Sequence, residues 1–168
     1  IRRIIFGCPR QSVNAWKEKN IMLEIKRMTK EHLTSVAEIE AEVFSVPWTR
    51  QGFADTLTME NVIFLVAEEE GTVVGYCGIY LAADEGEITN VAVSPFRRRK
   101  GIADRLLGNL LEQAKKRGII RFVLEVRCSN EPAISLYEKY GFKIQGIRKN
   151  FYDKPQEDAY VMILEEDQ

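Results

Sequence analysis

The spacing of hydrophobic positions changes along this chain, and the changes predict the order of its secondary-structure elements. Runs that alternate or are rich in β-branched residues predict strands, and apolar positions three and four apart predict helices. The predicted strands are Leu23–Met28, Val62–Ala67, Val73–Leu81, Glu87–Val93, Ile119–Val126, Lys143–Tyr152 and Asp158–Leu164. Helices are predicted over 102–114 and 130–141, and after the candidate capping residues Thr29 and Thr49.

The order of these elements predicts an α/β fold built on a mixed sheet. The segment from Val62 to Val93 is typical of an antiparallel meander, because turn-forming residues such as Glu69–Thr72 separate its strands. The strand, helix and strand between Glu87 and Val126 predict a parallel crossover. At 168 residues the chain suits a single domain with a substantial core.

Residues 1–21 show no clean hydrophobic period and differ from the rest of the chain. The opening run Ile1–Phe6 is too short for the hydrophobic region of a signal peptide or for a membrane span. Met22 is a suitable natural start. We therefore interpret 1–21 as an N-terminal extension that the natural protein need not contain, and 22–168 as the folded domain.

Charge and cysteine content argue against several classes of protein. A formal net charge of −1 disfavours a general nucleic-acid or membrane-surface binder, since both are basic overall. Cys8, Cys77 and Cys128 are too scattered for a disulfide framework or a C-x-x-C metal site. A zinc site is not expected, and a Ser-His-Asp triad would rest on the single histidine, His32. Three unpaired thiols favour a reducing, cytoplasmic setting.

The stretch Ile88–Leu111 contains the first candidate site. Its apolar strand stops at Ser94-Pro95, the basic turn Arg97–Lys100 follows, and Gly101 leads directly into an amphipathic helix. Free N–H groups, a helix N-terminus and clustered cations thus meet in one small volume, which predicts a phosphate or pyrophosphate site. The pattern is neither a Walker loop nor the dinucleotide-binding fingerprint. A solvated basic turn before an ordinary helix would have the same sequence features.

Two further candidate sites follow in the C-terminal half. Glu125 lies in the apolar run Phe122–Val126, near the carboxyl end of a strand, which is where open α/β sheets bind ligands. Burial of an unpaired carboxylate is costly, so Glu125 is either functional or turned to the polar face of its strand. Asn130–Phe142 predicts a helix with Asn130 as its N-cap and Tyr137 as a packing residue whose hydroxyl finds a neighbouring partner.

Together these motifs resemble those of the GCN5-related N-acetyltransferases (GNAT). Arg98-x-x-Gly101-x-Ala103 is similar to the acyl-CoA pyrophosphate loop of that family, and Asn130–Phe142 is similar to its N-x-x-A-x-x-L-Y-x-x-x-G-F helix. The resemblance covers residues 22–165. Four further stretches resemble the ribosomal-protein-alanine N-acetyltransferase (RimI-type) subgroup: Val46–Thr49, Leu124–Arg127, Arg148–Tyr152 and Glu157–Ala159.

The resemblance implies the GNAT fold, a mixed and mostly antiparallel central sheet flanked by helices, with residues 22–168 as the N-acetyltransferase domain. It implies that Glu125 is the general base and Tyr137 the general acid. It also implies acetyl-CoA as co-substrate, with no metal. The residues implied in acetyl-CoA binding are Val91, Ala92, Val93, Arg98, Arg99, Lys100, Gly101, Ile102, Ala103, Asp104 and Asn130.

The resemblance further implies direct acetyl transfer to the N-terminal alanine of a ribosomal protein, in the cytoplasm, with no nucleic acid or membrane as partner. On the acceptor side, Val46–Trp48 and Arg148–Glu157 would flank Glu125, and acidic side chains there could hold an N-terminal ammonium. Other interpretations remain open: a small-molecule amine or lysine side chains as acceptor, a CoA-binding module without turnover, and a nucleic-acid reader that uses Arg97–Lys100. The sequence also leaves open whether Glu125 acts directly or through a water.

Overall fold

The computed structural model describes residues 22–166, in which helices cover both faces of a seven-stranded sheet. The strands are β1 (Leu23–Arg27), β2 (Val62–Glu69), β3 (Thr72–Ala82), β4 (Glu85–Val93), β5 (Arg121–Arg127), β6 (Lys143–Asp153) and β7 (Gln156–Glu165). The helices are α1 (Leu33–Val43), α2 (Arg50–Thr56), α3 (Ile102–Lys115) and α4 (Glu131–Lys139). The proposed extension, residues 1–21, lies outside the described residues, so that interpretation stays a prediction.

The sheet has the strand order β1-β2-β3-β4-β5-β7-β6. Neighbouring strands are antiparallel except for β4 and β5, which run parallel. The chain passes from β4 to β5 through α3, because parallel neighbours require a crossover and cannot be joined by a hairpin. The predicted mixed and mostly antiparallel sheet is therefore confirmed.

Two hydrophobic layers hold the helices against the sheet. On one face, α3 and α4 pack through residues such as Leu106, Leu110 and Tyr137 against β2–β5 and β7. On the other face, α1 and α2 pack through residues such as Val36 and Phe53 against β2 and β3. No helix in the described part, residues 22–166, is both long enough and apolar enough to cross a membrane.

Some predicted boundaries differ from the structure. The Thr49 cap is confirmed, since its hydroxyl accepts the N–H of Gly52 at 3.0 Å, but α2 ends at Thr56. Met59 therefore lies beyond the helix and is 46% exposed. Strand β4 begins at Glu85, earlier than predicted, because Glu85 pairs with both β3 and β5.

Candidate functional site

Strands β4 and β5 pair over only three positions, Glu85 to Glu87 with Arg121 to Val123, and then separate. A bulge in β4 accompanies the separation: Ile79 on β3 pairs with Ile88, and Gly78 pairs with Asn90, so one residue of β4 is left over. Bulges bend a strand and increase its twist. We call the space between residues 88–93 of β4 and 124–127 of β5 the cleft.

The end of β4 presents main-chain groups to the cleft. The Ser94 N–H donates to the carbonyl of Val74 on β3 at 2.9 Å. Because successive residues of a strand direct their main-chain groups to opposite edges, Val93 and Val91 direct theirs toward the side where β5 has moved away. The side chain of Ala92, in contrast, packs in the α1–α2 layer. Val91 and Val93 are thus able to hydrogen-bond an extended ligand as an added strand would.

The basic turn contributes fewer free cations than the sequence suggests. Arg97 is paired with Glu69 at 2.8 Å, and Arg98 donates weakly to the carbonyl of Val93 at 3.4 Å. The side chains of Arg99 and Lys100 have no partner among the residues that the structure describes, and both are exposed. These two cations are therefore the ones available to an anion.

The N-terminus of α3 supplies unpaired N–H groups beside these cations. Gly101 precedes the helix in a left-handed conformation (φ +73°), which glycine adopts without steric cost. The first helical hydrogen bond runs from Arg105 N to Gly101 O at 3.1 Å, so the N–H groups of Ile102, Ala103 and Asp104 have no partner within the helix. The side chain of Ile102 is buried, and its role in the loop is confined to its main chain.

Asp104 carries a negative charge into this anion-binding region, and the structure compensates it. Lys139 on α4 lies 2.8 Å from its carboxylate and holds its pKa below the ordinary value. The hydroxyl of Tyr140 also donates to the Asp104 carbonyl at 2.8 Å. These contacts fix the start of α3 to the end of α4.

Helix α4 places Asn130 and Tyr137 along the same side of the sheet. Asn130 caps the helix, since its Oδ1 accepts the N–H of Ala133 at 3.3 Å, as predicted. Its amide nitrogen has no partner within residues 22–166. Tyr137 is buried, with its ring 5.8 Å from that of Phe142, and burial raises the pKa of its phenol. The phenol also interacts electrostatically with Tyr152.

Glu125 lies on the opposite face of β5 from Tyr137. Leu124 and Val126 are buried in the α3–α4 layer, so the alternation of the strand turns Glu125 toward the α1–α2 side. Its side chain is 17% exposed, and Nη1 of Arg148 on β6 lies 2.7 Å from Oε1. The carboxylate and the phenol therefore lie on opposite sides of the sheet.

Of the two acidic residues in the expected acceptor segment Arg148–Glu157, one is already paired and one is not. Glu157 binds Arg127 at 3.1 Å and accepts the N–H of Ser129 at 2.7 Å. Asp153 is exposed and has no ion-pair partner within residues 22–166. Asp158, next to this segment, binds Lys149 at 2.7 Å. Glu125 also keeps a free oxygen at the cleft, since Oε2 has no partner in the described part of the chain.

The sequence reasoning missed Glu40, a buried carboxylate beneath the loop that joins α1 to α2. Its oxygens accept the Trp48 N–H at 3.0 Å and the Tyr76 hydroxyl, and the nearby Asn90 side chain acts to lower its pKa. The sequence did contain a signal for the burial of Glu40, since this residue is four positions after buried Val36 and thus lies on the apolar side of α1. Within residues 22–166, no three His, Cys, Asp or Glu side chains are grouped to hold a metal ion.

Comparison with known proteins agrees with this geometry. Residues 33–142 match the model of the acetyltransferase (GNAT) family. The chain is 41% identical over 140 residues to a candidate ribosomal protein bS18-alanine N-acetyltransferase of Bacillus subtilis (strain 168), covering 82% of this chain and 92% of that one. It is 34% identical over 134 residues to the ribosomal protein bS18-alanine N-acetyltransferase of Escherichia coli (strain K12), covering 79% and 90%.

A solved structure supports the same assignment. The crystal structure of the ribosomal-protein-S18-alanine N-acetyltransferase from Escherichia coli superimposes with a TM-score of 0.79 and 32% identity, covering 86% of this chain and 94% of that one. The matched residues 33–142 include the basic turn, β5 and α4. By sequence and by fold, this chain belongs to the acetyltransferase (GNAT) family.

Proposed function

We propose that this chain transfers the acetyl group of acetyl-CoA to the α-amine of an N-terminal alanine on a ribosomal protein, in the cytoplasm. The observation that carries the proposal is the cleft, which has unpaired main-chain and cationic groups along β4 and α3 and a carboxylate, Glu125, across from them. The proposed acceptor follows the relatives, which are named for the alanine of ribosomal protein bS18.

The groups beside the cleft suit acetyl-CoA. A diphosphate would accept hydrogen bonds from the N–H groups at the start of α3 and would be neutralised by Arg99 and Lys100. The amide groups of a pantetheine arm match the outward main-chain groups of Val91 and the N–H of Val93, and Asn130 has a free amide nitrogen to offer. Gly101 and Ala103 contribute by shape, since small residues allow a close approach to the main chain, and Arg98 would contribute its main-chain N–H.

The chemistry needs a base and an acid. A free α-amine has a pKa of about 7.7–8.0, so near neutrality much of it is protonated and cannot attack a thioester. Glu125 would accept that proton, directly or through a water, and the amine nitrogen would then bond to the acetyl carbon. As the carbon–sulfur bond breaks, Tyr137 would give its proton to the departing thiolate; its raised pKa keeps the phenol protonated until then. A main-chain N–H near Val91–Val93 would stabilise the oxyanion.

The test is transfer of label from acetyl-CoA to defined acceptors. The panel would contain a peptide with the N-terminal sequence of ribosomal protein bS18 starting at alanine, the same peptide with a blocked N-terminus and a free lysine, and a small polyamine. We expect the label on the free N-terminus, located by mass spectrometry. Label on the lysine or the polyamine instead would change the acceptor class. Binding of acetyl-CoA without transfer to any amine would reject an enzymatic function.

A further inference from the structure

Within residues 22–166, the one charged group that Arg148 on β6 contacts is Glu125, the proposed base. Its Nη1 lies 2.7 Å from Oε1 of Glu125, and its guanidinium carbon lies 4.5 Å from the ring centre of Phe151. Among the described residues, no second carboxylate binds Arg148, and no second cation binds Glu125. A planar guanidinium that is stacked on a ring and bonded at its edge has little freedom to rotate.

The backbone of β6 is distorted at this point. Arg148 pairs with Ala159 and Tyr152 pairs with Glu157, so β6 has two more residues than β7 between these pairs. Asn150 adopts a left-handed conformation (φ +52°), and its N–H is held by Asp158 Oδ1 at 2.9 Å. Bulges of this kind redirect side chains and occur often beside active sites. The bulge in β6 places the ring of Phe151 against the guanidinium of Arg148.

The ion pair contributes little to stability. The Arg148 side chain is 57% exposed, and exposed ion pairs contribute about 0–1 kcal/mol. Stability therefore does not account for a bulge and a left-handed asparagine at this point. The distortion of β6 is explained instead by the effect of Arg148 on Glu125, because the guanidinium occupies Oε1 and leaves Oε2 without a partner.

We propose that Arg148 is a positioning residue for acetyl transfer, which holds Glu125 through Oε1 so that Oε2 alone is presented to the acceptor amine. This inference rests on the proposed function, since it requires Glu125 to receive the amine proton. Small displacements of a reacting group can reduce rates by about a hundredfold. Release of the carboxylate from Arg148 should therefore slow transfer without weakening acetyl-CoA binding.

The test is a double-mutant cycle with Arg148→Gln, Glu125→Gln and the double variant, measured on whichever amine the wild-type protein acetylates. We expect Arg148→Gln to lower kcat/KM for the acceptor about ten- to a hundredfold, with the Kd of acetyl-CoA within about twofold of the wild type. In the Glu125→Gln background the same change should have almost no effect, because residues that act as one unit are not additive. Lys143→Gln, on the same strand, removes an equal charge away from the cleft and is the matched control.

A conservative variant gives a second measurement. Near Glu125 the charged or titratable groups are Arg148 and Tyr152 on β6 and Arg127 on β5, whereas its neighbour on β7 is the apolar Val161. Arg148→Lys keeps a cationic donor for Oε1, so it should recover part of the rate that Arg148→Gln loses.

The possible failures are distinguishable. If Arg148→Gln reduces the rate equally in both backgrounds, Arg148 does not act through Glu125 and the inference is wrong. If the wild-type protein acetylates no amine, the proposed function itself is wrong. If Arg148→Gln does not fold, the same cycle is measured with Arg148→Lys, which should lower the rate only when Glu125 is present.

Discussion

Glu40 on α1 accepts a hydrogen bond from the main-chain N–H of Trp48 at 3.0 Å, and so attaches the loop before α2 to the body of the fold. Glu40 is 1% exposed, and the hydroxyl of Tyr76 on β3 donates to it as well. Because this loop lies on the sheet face that also carries Glu125, the buried carboxylate determines the shape of the acceptor side.

Glu40→Gln should alter the pH dependence of stability. Desolvation raises the pKa of Glu40 above its ordinary value, although its hydrogen bonds act in the opposite direction. An acid whose pKa is higher in the folded than in the unfolded chain binds its proton more tightly when folded, so stability falls as the pH rises through that interval. We expect this fall to be absent in Glu40→Gln, measured as the free energy of unfolding in urea from about pH 4.3 upward. An identical pH slope in both proteins would contradict the burial argument.

Glu125→Gln should depress the rate of transfer near neutrality by about a hundredfold or more, because glutamine cannot accept the amine proton. The rate should recover partly at higher pH, where solvent has already deprotonated the α-amine. Steady-state rates between about pH 6.5 and 9.5 on an N-terminal peptide measure both effects. Unchanged turnover over the whole range would remove Glu125 from the mechanism.

Tyr137→Phe should slow transfer while leaving the affinity for acetyl-CoA unchanged. Phenylalanine keeps the packing against Phe142 but has no proton for the thiolate. Burial raises the pKa of the Tyr137 phenol, so ionisation of this group should not cause a loss of rate at mildly alkaline pH. Rates are compared with acetyl-CoA binding by calorimetry. Tyr140→Phe, directly after α4, is the control: it loses one hydrogen bond to Asp104 and should affect stability more than rate.

Arg99→Gln and Lys100→Gln should each weaken acetyl-CoA binding, by about three- to tenfold at low salt, and should reduce the dependence of Kd on ionic strength. The neighbouring Arg97→Gln should leave both quantities nearly unchanged, since Arg97 is already paired with Glu69. Titration calorimetry at two salt concentrations separates the three variants. Equal effects of all three would mean that the ion pair with Glu69 opens when the ligand binds.

Gly78→Ala should destabilise the fold by about 1–3 kcal/mol through overpacking. A Cβ at Gly78 would lie 2.2 Å from Cε1 of Phe64 on the neighbouring strand. Gly146→Ala is the matched control, because a Cβ there would meet no atom within 4 Å. Thermal unfolding should show a clear loss for the first variant and little change for the second. Equal melting temperatures would indicate that Phe64 moves aside without cost.

Local signals in the sequence predicted the element order and several helix ends. The Thr49 and Asn130 caps depend on residues within one turn of each other, so their side chains and spacing are sufficient to place them. The basic turn with Gly101 and the apolar face of α3 were also predicted correctly, because they too depend on residues close together in the sequence. Boundaries were less accurate where a partner strand decides them, as at Glu85, because that partner is distant in the sequence.

The tertiary structure alone decided which of these groups are free. The sequence by itself determined that a basic turn precedes α3 and that a carboxylate ends β5. Only the fold pairs Arg97 with Glu69, Asp104 with Lys139 and Arg148 with Glu125, since these partners lie 23 to 35 residues apart and polar surface positions leave no periodic pattern. The physical reason is that pairing and strand separation depend on long-range register, whereas caps, turns and amphipathic faces depend on neighbours along the chain.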